Sequence, residues 1–398
     1  MTPGPLEASA GAQSAAAFDK TLFVLAQIPH WVGPDGSLRA YEPYVREMRV
    51  WADLFARVEI CYPPAEGPMT GNLATYERDN IVGVPVLYSL QTGGLGALRR
   101  LSRVPGLFAA AIRGIARADL TLLRSPAHFA LVGALLCRAT GRPSITKWAG
   151  ENGAYPGERL PSRADRGLQA IPSGRHPVLV YGPARRPHQI SFLPALMTAE
   201  ELRRARELSA VRRSAPPWRI LSVGRLTPVK GFDLAIRGLA ALLRDHPSLP
   251  WSYTLVGDGE SRLELERLAV TSGIAERITF TGALSFHDVQ TLYASSHVAL
   301  MPGVKEGWPK VIAEAWAHGV VPVAAAAGLV PWILREKDAG VLFEPTAEGL
   351  AAAVARVLSD PAAWSAHAGR MPRRAEEFSL DEFGRRLRQV LVDRFGYV

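Results

Sequence analysis

Along the chain, short apolar runs bounded by turn residues alternate with longer stretches in which apolar positions recur every three to four residues. That is the rhythm of strands and helices building a parallel sheet. Thr21–Pro29, Arg57–Tyr62, Leu120–Leu123, Pro143–Trp148 and Pro177–Tyr181 read as strands, and Ile81–Leu90 holds another around Pro85. Helical patterns cover Leu38–Phe55, Phe129–Thr140 and, as one or two helices, Leu98–Ala118. A second series begins at Arg219. Its strands are Arg219–Leu226, Tyr253–Gly257, Ile278–Thr281, His297–Met301, Val321–Ala325 and Gly340–Phe343; its helices are Gly231–Arg244, Glu260–Ser272, Ser285–Ala294, Pro309–His318 and Thr346–Ser359. Ser379–Phe395 closes the chain as an amphipathic helix, with Leu380, Phe383, Leu387, Val390 and Leu391 on one side and Arg385, Arg386 and Arg388 on the other.

The fold class this predicts is α/β, with two doubly wound domains. Residues 1–18, rich in Ala, Gly, Ser and Pro, read as a disordered lead-in. The first domain spans 19–187, a Pro- and Arg-rich linker with a helix at Ala199–Val211 spans 188–217, and the second domain spans 218–378, followed by the helix within 379–398. A length of 398 residues agrees, being long for a single core.

Composition narrows the class. Hydrophobic content of 48% with 21% charged residues is that of a globular protein, and two cysteines, Cys61 and Cys137, make neither a disulfide framework nor a metal cluster. A reducing, cytoplasmic setting fits. The longest uncharged run, Gly319–Leu334, is interrupted by Pro322 and Pro331 and is shorter than the roughly 20 residues a membrane-spanning helix needs. The formal net charge of +9 favours anionic partners. With no zinc spacing, no RNA-recognition signature and no basic tail, nucleic acid is not among the expected ones. Within Leu98–Ala118 the arginines Arg99, Arg100, Arg103, Arg113 and Arg117 alternate with apolar residues, which suits either a surface resting on anionic membrane or an ordinary helix with an Arg-rich outer face.

Chemistry concentrates in the second series. Glu306-Gly307-Trp308-Pro309-Lys310-Val311-Ile312-Ala313-Glu314 places one acid in a Gly/Pro loop and another inside an apolar helix. Pro309 suits a first helical turn, and the N–H groups around Lys310 and Val311 then favour an anion. Arg225 and Lys230 follow a strand and match a diphosphate in charge, while Gly257-Asp258-Gly259 with Arg262 is a partial dinucleotide fingerprint. The chain has no phosphate-binding P-loop and no Asp-x-Asp pair, so no metal and no cofactor are expected. In the first series, strand ends place His30, Asp35, Gly36, Arg124, His128, Lys147 and Glu151 on the wall of a candidate cleft.

Together these residues resemble the retaining nucleotide-sugar glycosyltransferases of family 4, which have the GT-B fold. The resemblance is carried by Val223-Gly224-Arg225-Leu226 with Lys230-Gly231, Val256-Gly257-Asp258-Gly259, Phe280-Thr281-Gly282, Glu306-Gly307 through Glu314-Ala315, and Gly319-Val320-Val321-Pro322-Val323. It implies two Rossmann-like domains facing across a cleft, with the last helix crossing back to the first domain. Arg225 and Lys230 would hold the donor diphosphate, with Gly36, Gly224 and Gly257 close to it. Glu306 would contact the donor sugar, Glu314 the ribose, and backbone near Gly282 and Leu284 the base. Gly307, Trp308, Pro309, Lys310 and Val311 would complete the donor loop. Pro309 in place of a glycine, and Ala327-Gly328-Leu329-Val330-Pro331-Trp332 in place of Gly-Gly and an acid, depart from the family pattern at the sugar pocket. Arg124 and Lys147, where relatives place histidines, suit an anionic acceptor or pair with local acids.

The expected function is transfer of a sugar with retention of configuration to a glycan, lipid-linked or small-molecule acceptor in polysaccharide or glycolipid assembly, with peripheral membrane contact if the Leu98–Ala118 surface meets lipid. His30 as a general base would give inversion instead. A nucleotide-sugar epimerase and a non-catalytic nucleotide-sugar binder are the alternatives on the same fold.

Overall fold

The computed structural model describes residues 17–65, 67, 69, 72–87, 94–148, 160–212, 214–304, 310–337 and 339–398, with backbone alone for 94–103 and 335–337. The first half runs β1 (Phe18–Leu25), β2 (Trp31–Val32), β3 (Leu38–Tyr41), α1 (Glu42–Leu54), β4 (Phe55–Tyr62), β5 (Leu73–Thr75), β6 (Ile81–Pro85) and α2 (Gly94–Arg117). It continues with β7 (Leu120–Ser125), α3 (His128–Thr140), β8 (Ser144–Trp148), α4 (Leu160–Gln169), β9 (Val178–Val180), β10 (Gln189–Ser191) and α5 (Ala199–Ser209). The second half runs β11 (Trp218–Val223), α6 (Phe232–Asp245), β12 (Trp251–Val256), α7 (Arg262–Thr271), β13 (Ile278–Gly282), α8 (Phe286–Ser295), β14 (Val298–Met301) and α9 (Lys310–Ala317). It ends with β15 (Val321–Ala325), α10 (Val330–Lys337), β16 (Val341–Phe343), α11 (Ala347–Leu358), α12 (Pro361–Ala375) and α13 (Leu380–Phe395).

Among the described residues the first sheet has the order β10-β9-β8-β7-β1-β4-β6 and the second β13-β12-β11-β14-β15-β16. Every pairing within them is parallel. Strand order reverses between β1 and β7 in one sheet and between β11 and β14 in the other, and crevices open at the carboxyl ends of strands where such reversals occur. Helices on both faces leave the strands with continuous apolar runs: Val321–Ala325 is buried at every position.

The stripe on α13 buries Phe383, Leu387, Val390 and Leu391 in the core of the first sheet, beside Trp51 and Met48 of α1. Each such side chain contributes about 1.5–3 kcal/mol. The helix therefore crosses back to the first domain, with Ser379 capping its start through the Glu382 N–H at 3.0 Å. The described part of α2 buries Leu107, Ala111 and Ile115 against Phe23 and leaves Ile112 exposed, so its apolar stripe packs on the sheet. No described helix is long and apolar enough to cross a membrane.

The structure differs from the sequence reading at four places. Leu38–Phe55 is not one helix: Leu38–Tyr41 pairs antiparallel with β2 and β5, and the helix begins at Glu42, where Pro43 sits in its first turn. Gln189–Ser191, assigned to the linker, is the edge strand β10 on β9. The helices α4, α10 and α12 were not expected. For α4 the reason is a polar sequence with Pro161 and Gly167; for α12 it is Pro372 in its interior, although Asp360 caps its start through the Ala362 and Ala363 N–H groups at 2.9 and 3.1 Å. The lead-in lies outside the described residues up to position 16, and Phe18, also assigned to it, is the first residue of β1.

Candidate functional site

The loops that leave the second sheet are stitched into one surface. The Gly224 N–H donates to the Val256 carbonyl (3.0 Å), the Leu226 N–H to the Asp258 carbonyl (2.9 Å), and the Gly257 N–H to the Gly282 carbonyl (2.9 Å). Gly257 has φ +134°, and a Cβ there would lie 1.9 Å from the Gly224 carbonyl oxygen. Gly231 has φ +65°, and its Cβ would meet the Pro302 carbonyl oxygen at 2.8 Å, bringing the loop after β11 against the loop after β14. Glycine is required at both positions.

On this surface Arg225 is exposed and makes no hydrogen bond or ion pair among the described residues, and Lys230 is half-buried with its stem over Gly224. Leu284 is 37% exposed beyond β13. Arg262, at the place of the missing third glycine, closes the end of β13, its Nε on Glu266 at 2.7 Å and its Nη2 on the Phe280 carbonyl at 3.4 Å. Lys310 opens α9 with half-buried Val311 behind it, and one turn later the carboxylate of Glu314 accepts a hydrogen bond from the Tyr293 hydroxyl at 3.2 Å. Burial raises the Glu314 pKa, opposed by Lys310 and by that hydroxyl.

The first sheet faces it with a buried charge cluster. Arg124 on β7 and Lys147 on β8 are partners in register, and both bond Glu47 of α1: Arg124 Nη1 at 2.8 Å from Oε1, Lys147 Nζ on Oε2. Burial works to raise the Glu47 carboxyl, but Arg124 and Lys147 overcome it and hold it at about 2. Lys147 is 2% exposed, with Nζ 5.2 Å from the Phe383 ring centre and 5.6 Å from that of Tyr181. Burial lowers its pKa to about 8, even with Glu47 beside it. Lys310 acts electrostatically on the same cluster from the second domain, and burial, with Lys147 adding to it, brings its ammonium to about 8.

Other contacts align the two sheet edges. Tyr41, at the end of β3 and 54% exposed, has its hydroxyl pKa raised by partial burial and by Glu314 and lowered by Arg225. Arg46 of α1 pairs with Glu201 of α5 at 2.7 Å and lies 5.1 Å from the Phe286 ring centre of α8.

Of the other residues expected on the cleft wall, His30 is buried away from it. His30 is 1% exposed in a cage of Tyr44, Tyr62 and Tyr76. Its Nδ1 donates to the Ile28 carbonyl at 2.8 Å and its Nε2 accepts from the Tyr76 hydroxyl at 2.6 Å, while burial lowers its pKa to about 4. It is a core histidine, not a base facing the cleft. Asp35 and Gly36 form the turn between β2 and β3, where Asp35 accepts from the Ser37 N–H at 3.1 Å and hydroxyl at 2.6 Å. His128 begins α3, and its N–H donates to Gln27 Oε1 at 2.9 Å. Glu151, Glu306, Gly307, Trp308 and Pro309 lie outside the described residues.

The sequence reading missed Glu47, Tyr41 and Tyr293. Glu47 had a signal: a carboxylate inside the apolar stripe Tyr44, Val45, Met48, Trp51 has to meet a cation. Tyr41 and Tyr293 had none, because their roles depend on which loops face them.

Two doubly wound parallel sheets, facing through their carboxyl edges and strapped by a returning C-terminal helix, define the GT-B fold. Residues 205–378 match the family model of the glycosyl transferases group 1. The chain is 30% identical over 168 residues to the lipopolysaccharide core biosynthesis glycosyltransferase LpsE of Rhizobium meliloti, covering 42% of this chain and 46% of that one. It is 32% identical over 177 residues to a D-inositol 3-phosphate glycosyltransferase of Salinispora tropica, covering 42% and 34%. The match thus spans about a third to a half of the length of these relatives. Among solved structures, Anabaena HepE in complex with UDP and glucose superposes with a TM-score of 0.67 at 18% identity, over 94% of this chain and 100% of that one.

Proposed function

We propose that the protein is a glycosyltransferase that moves a sugar from a nucleoside diphosphate to an acceptor hydroxyl, with retention of anomeric configuration and without a metal. The observation that carries this reading is the glycine-locked surface at the β11/β14 reversal, which sets Arg225 and Lys230 before the start of α9. The match of residues 205–378 to a glycosyltransferase family supports it.

In this reading the bond from the anomeric carbon to the diphosphate oxygen breaks as the acceptor oxygen bonds the same face of the sugar. The acceptor proton passes to the departing phosphate oxygen. Negative charge grows on the diphosphate as it leaves, and Arg225 and Lys230, with the first N–H groups of α9, stabilise it where it develops. Glu314, oriented by Tyr293, presents its carboxyl to the ribose hydroxyls. Glu306 serves the hydroxyls of the sugar, and the backbone at Gly282 and Leu284 borders the base. Tyr41, 54% exposed and electrostatically coupled to Glu314 and Arg225, borders this donor surface from the first domain.

Incubation with a panel of nucleoside diphosphate sugars, with and without glycan and lipid extracts, tests the reaction class. Acceptor-dependent nucleotide release is expected, and an altered sugar appearing without acceptor would instead favour an epimerase. Proton NMR of the new linkage tests the stereochemistry, and an inverted anomer would overturn retention.

A further inference from the structure

Arg124 and Lys147 meet on Glu47 at the carboxyl edge of the first sheet, Lys310 opens α9 at the facing edge of the second and acts on them electrostatically, and the described residues offer these cations one firmly ionised carboxylate. The other described acid that acts on Lys310, Glu314, is held toward its neutral form by burial. Both lysines are lowered to about 8. Buried charge of one sign in excess is costly unless an anion completes it.

The three cations are not equivalent. Lys147 is 2% exposed and supports the site from behind by fixing Glu47. Arg124 is 17% exposed; its Nη1 is on Glu47, its guanidinium lies 4.7 Å from the Tyr44 ring centre, and its other N–H donors have no hydrogen-bond partner among the described residues. Arg124 also stands at the β1/β7 reversal, where the first sheet opens its crevice. Lys310 makes no hydrogen bond or ion pair among the described residues.

The geometry points to a second anion site, separate from the Arg225/Lys230 pair, in which Arg124 and Lys310 bind a phosphate or carboxylate carried by the acceptor. The guanidinium supplies a planar fork for two oxygens of the anion and the ammonium a point charge. Arg225 and Lys230 already offset two charges of a donor diphosphate, which leaves the Arg124 side to the other substrate. The assignment to the acceptor rests on the transfer reaction proposed above; the anion site itself does not.

Titration calorimetry of inorganic phosphate into protein saturated with UDP tests it. Phosphate should bind the UDP-saturated protein, about tenfold more weakly in Arg124→Gln and in Lys310→Gln, and with an intermediate loss in Arg124→Lys, which keeps the charge but not the planar fork. Circular dichroism melts confirm that each variant is folded. Failure of phosphate to bind the UDP-saturated wild type, its displacement by UDP, or unchanged affinity in both glutamine variants would overturn the site. If UDP does not bind at all, the nucleotide reading fails by itself, and phosphate binding that depends on Arg124 and Lys310 in the free protein still upholds the anion site.

Discussion

A Cβ on Gly257 would lie 1.9 Å from the carbonyl oxygen of Gly224, the residue that immediately precedes Arg225. The position of that arginine is therefore set by the loop of a different strand. Neither loop can shift alone, and the backbone that carries the cation is held in place before any ligand arrives, which limits the reorganisation left to the side chain.

Gly257→Ala should break this arrangement. An L-residue at φ +134° is strained by about 1–3 kcal/mol, and the clash with Gly224 adds to that. Melting temperature and UDP affinity should fall together. Gly273→Ala is the control: φ is +72°, but a Cβ there meets nothing within 4 Å, so stability alone should decline slightly. Thermal melts with UDP titration check both, and wild-type UDP affinity in folded Gly257→Ala would count against the preorganised loop.

Glu47→Gln should destabilise the first domain by about 3–5 kcal/mol, because it leaves Arg124 and Lys147 buried without their carboxylate. The wild type should also carry an acid transition from this residue. Its carboxyl sits at about 2 in the fold and near 4.3 when unfolded. The stabilisation is present above the unfolded value and is lost as pH falls through the folded one. Denaturant melts between about pH 4.5 and 2 should show a shallower decline in Glu47→Gln than in wild type.

Lys310 gives a slope of the same sign in the alkaline range. Its ammonium is at about 8 in the fold and near 10.4 when unfolded, so above pH 8 the unfolded chain binds more protons and stability rises with pH. Urea melts from pH 8 to 9.5 should show that rise in wild type and a flatter profile in Lys310→Met.

Much of the fold was legible because a strand buried on both faces writes itself as a continuous apolar run, as in Val321–Ala325. The stripe on Ser379–Phe395 likewise announced a helix that must be covered, and Phe383 and Leu387 are buried against the first sheet. The antiparallel strand Leu38–Tyr41 was hidden because four residues of period-two pattern run directly into a helix. The loops bearing Arg225, Lys230 and Gly257 could be placed on one edge from strand direction alone.

The charge cluster was only half legible. Arg124 and Lys147 stand at strand ends, but they meet through Glu47, about a hundred residues from Lys147 in the chain, and no local pattern encodes such a partner. His30 illustrates the reverse error: a histidine after the first strand looks like a base in sequence, yet the tyrosines that cage it come from Tyr44, Tyr62 and Tyr76 on separate segments.

The most direct test of the account is nucleotide release from nucleoside diphosphate sugars in the presence of acceptor extract, comparing wild type with Arg225→Ala and Lys230→Ala. Each substitution removes one cation from the developing diphosphate charge and should cost about 2–4 kcal/mol of transition-state stabilisation, a fall in kcat of about 30-fold to 10³-fold, with melting temperature unchanged. Full activity in either variant, or no nucleoside diphosphate released by the wild type from any donor, would contradict it.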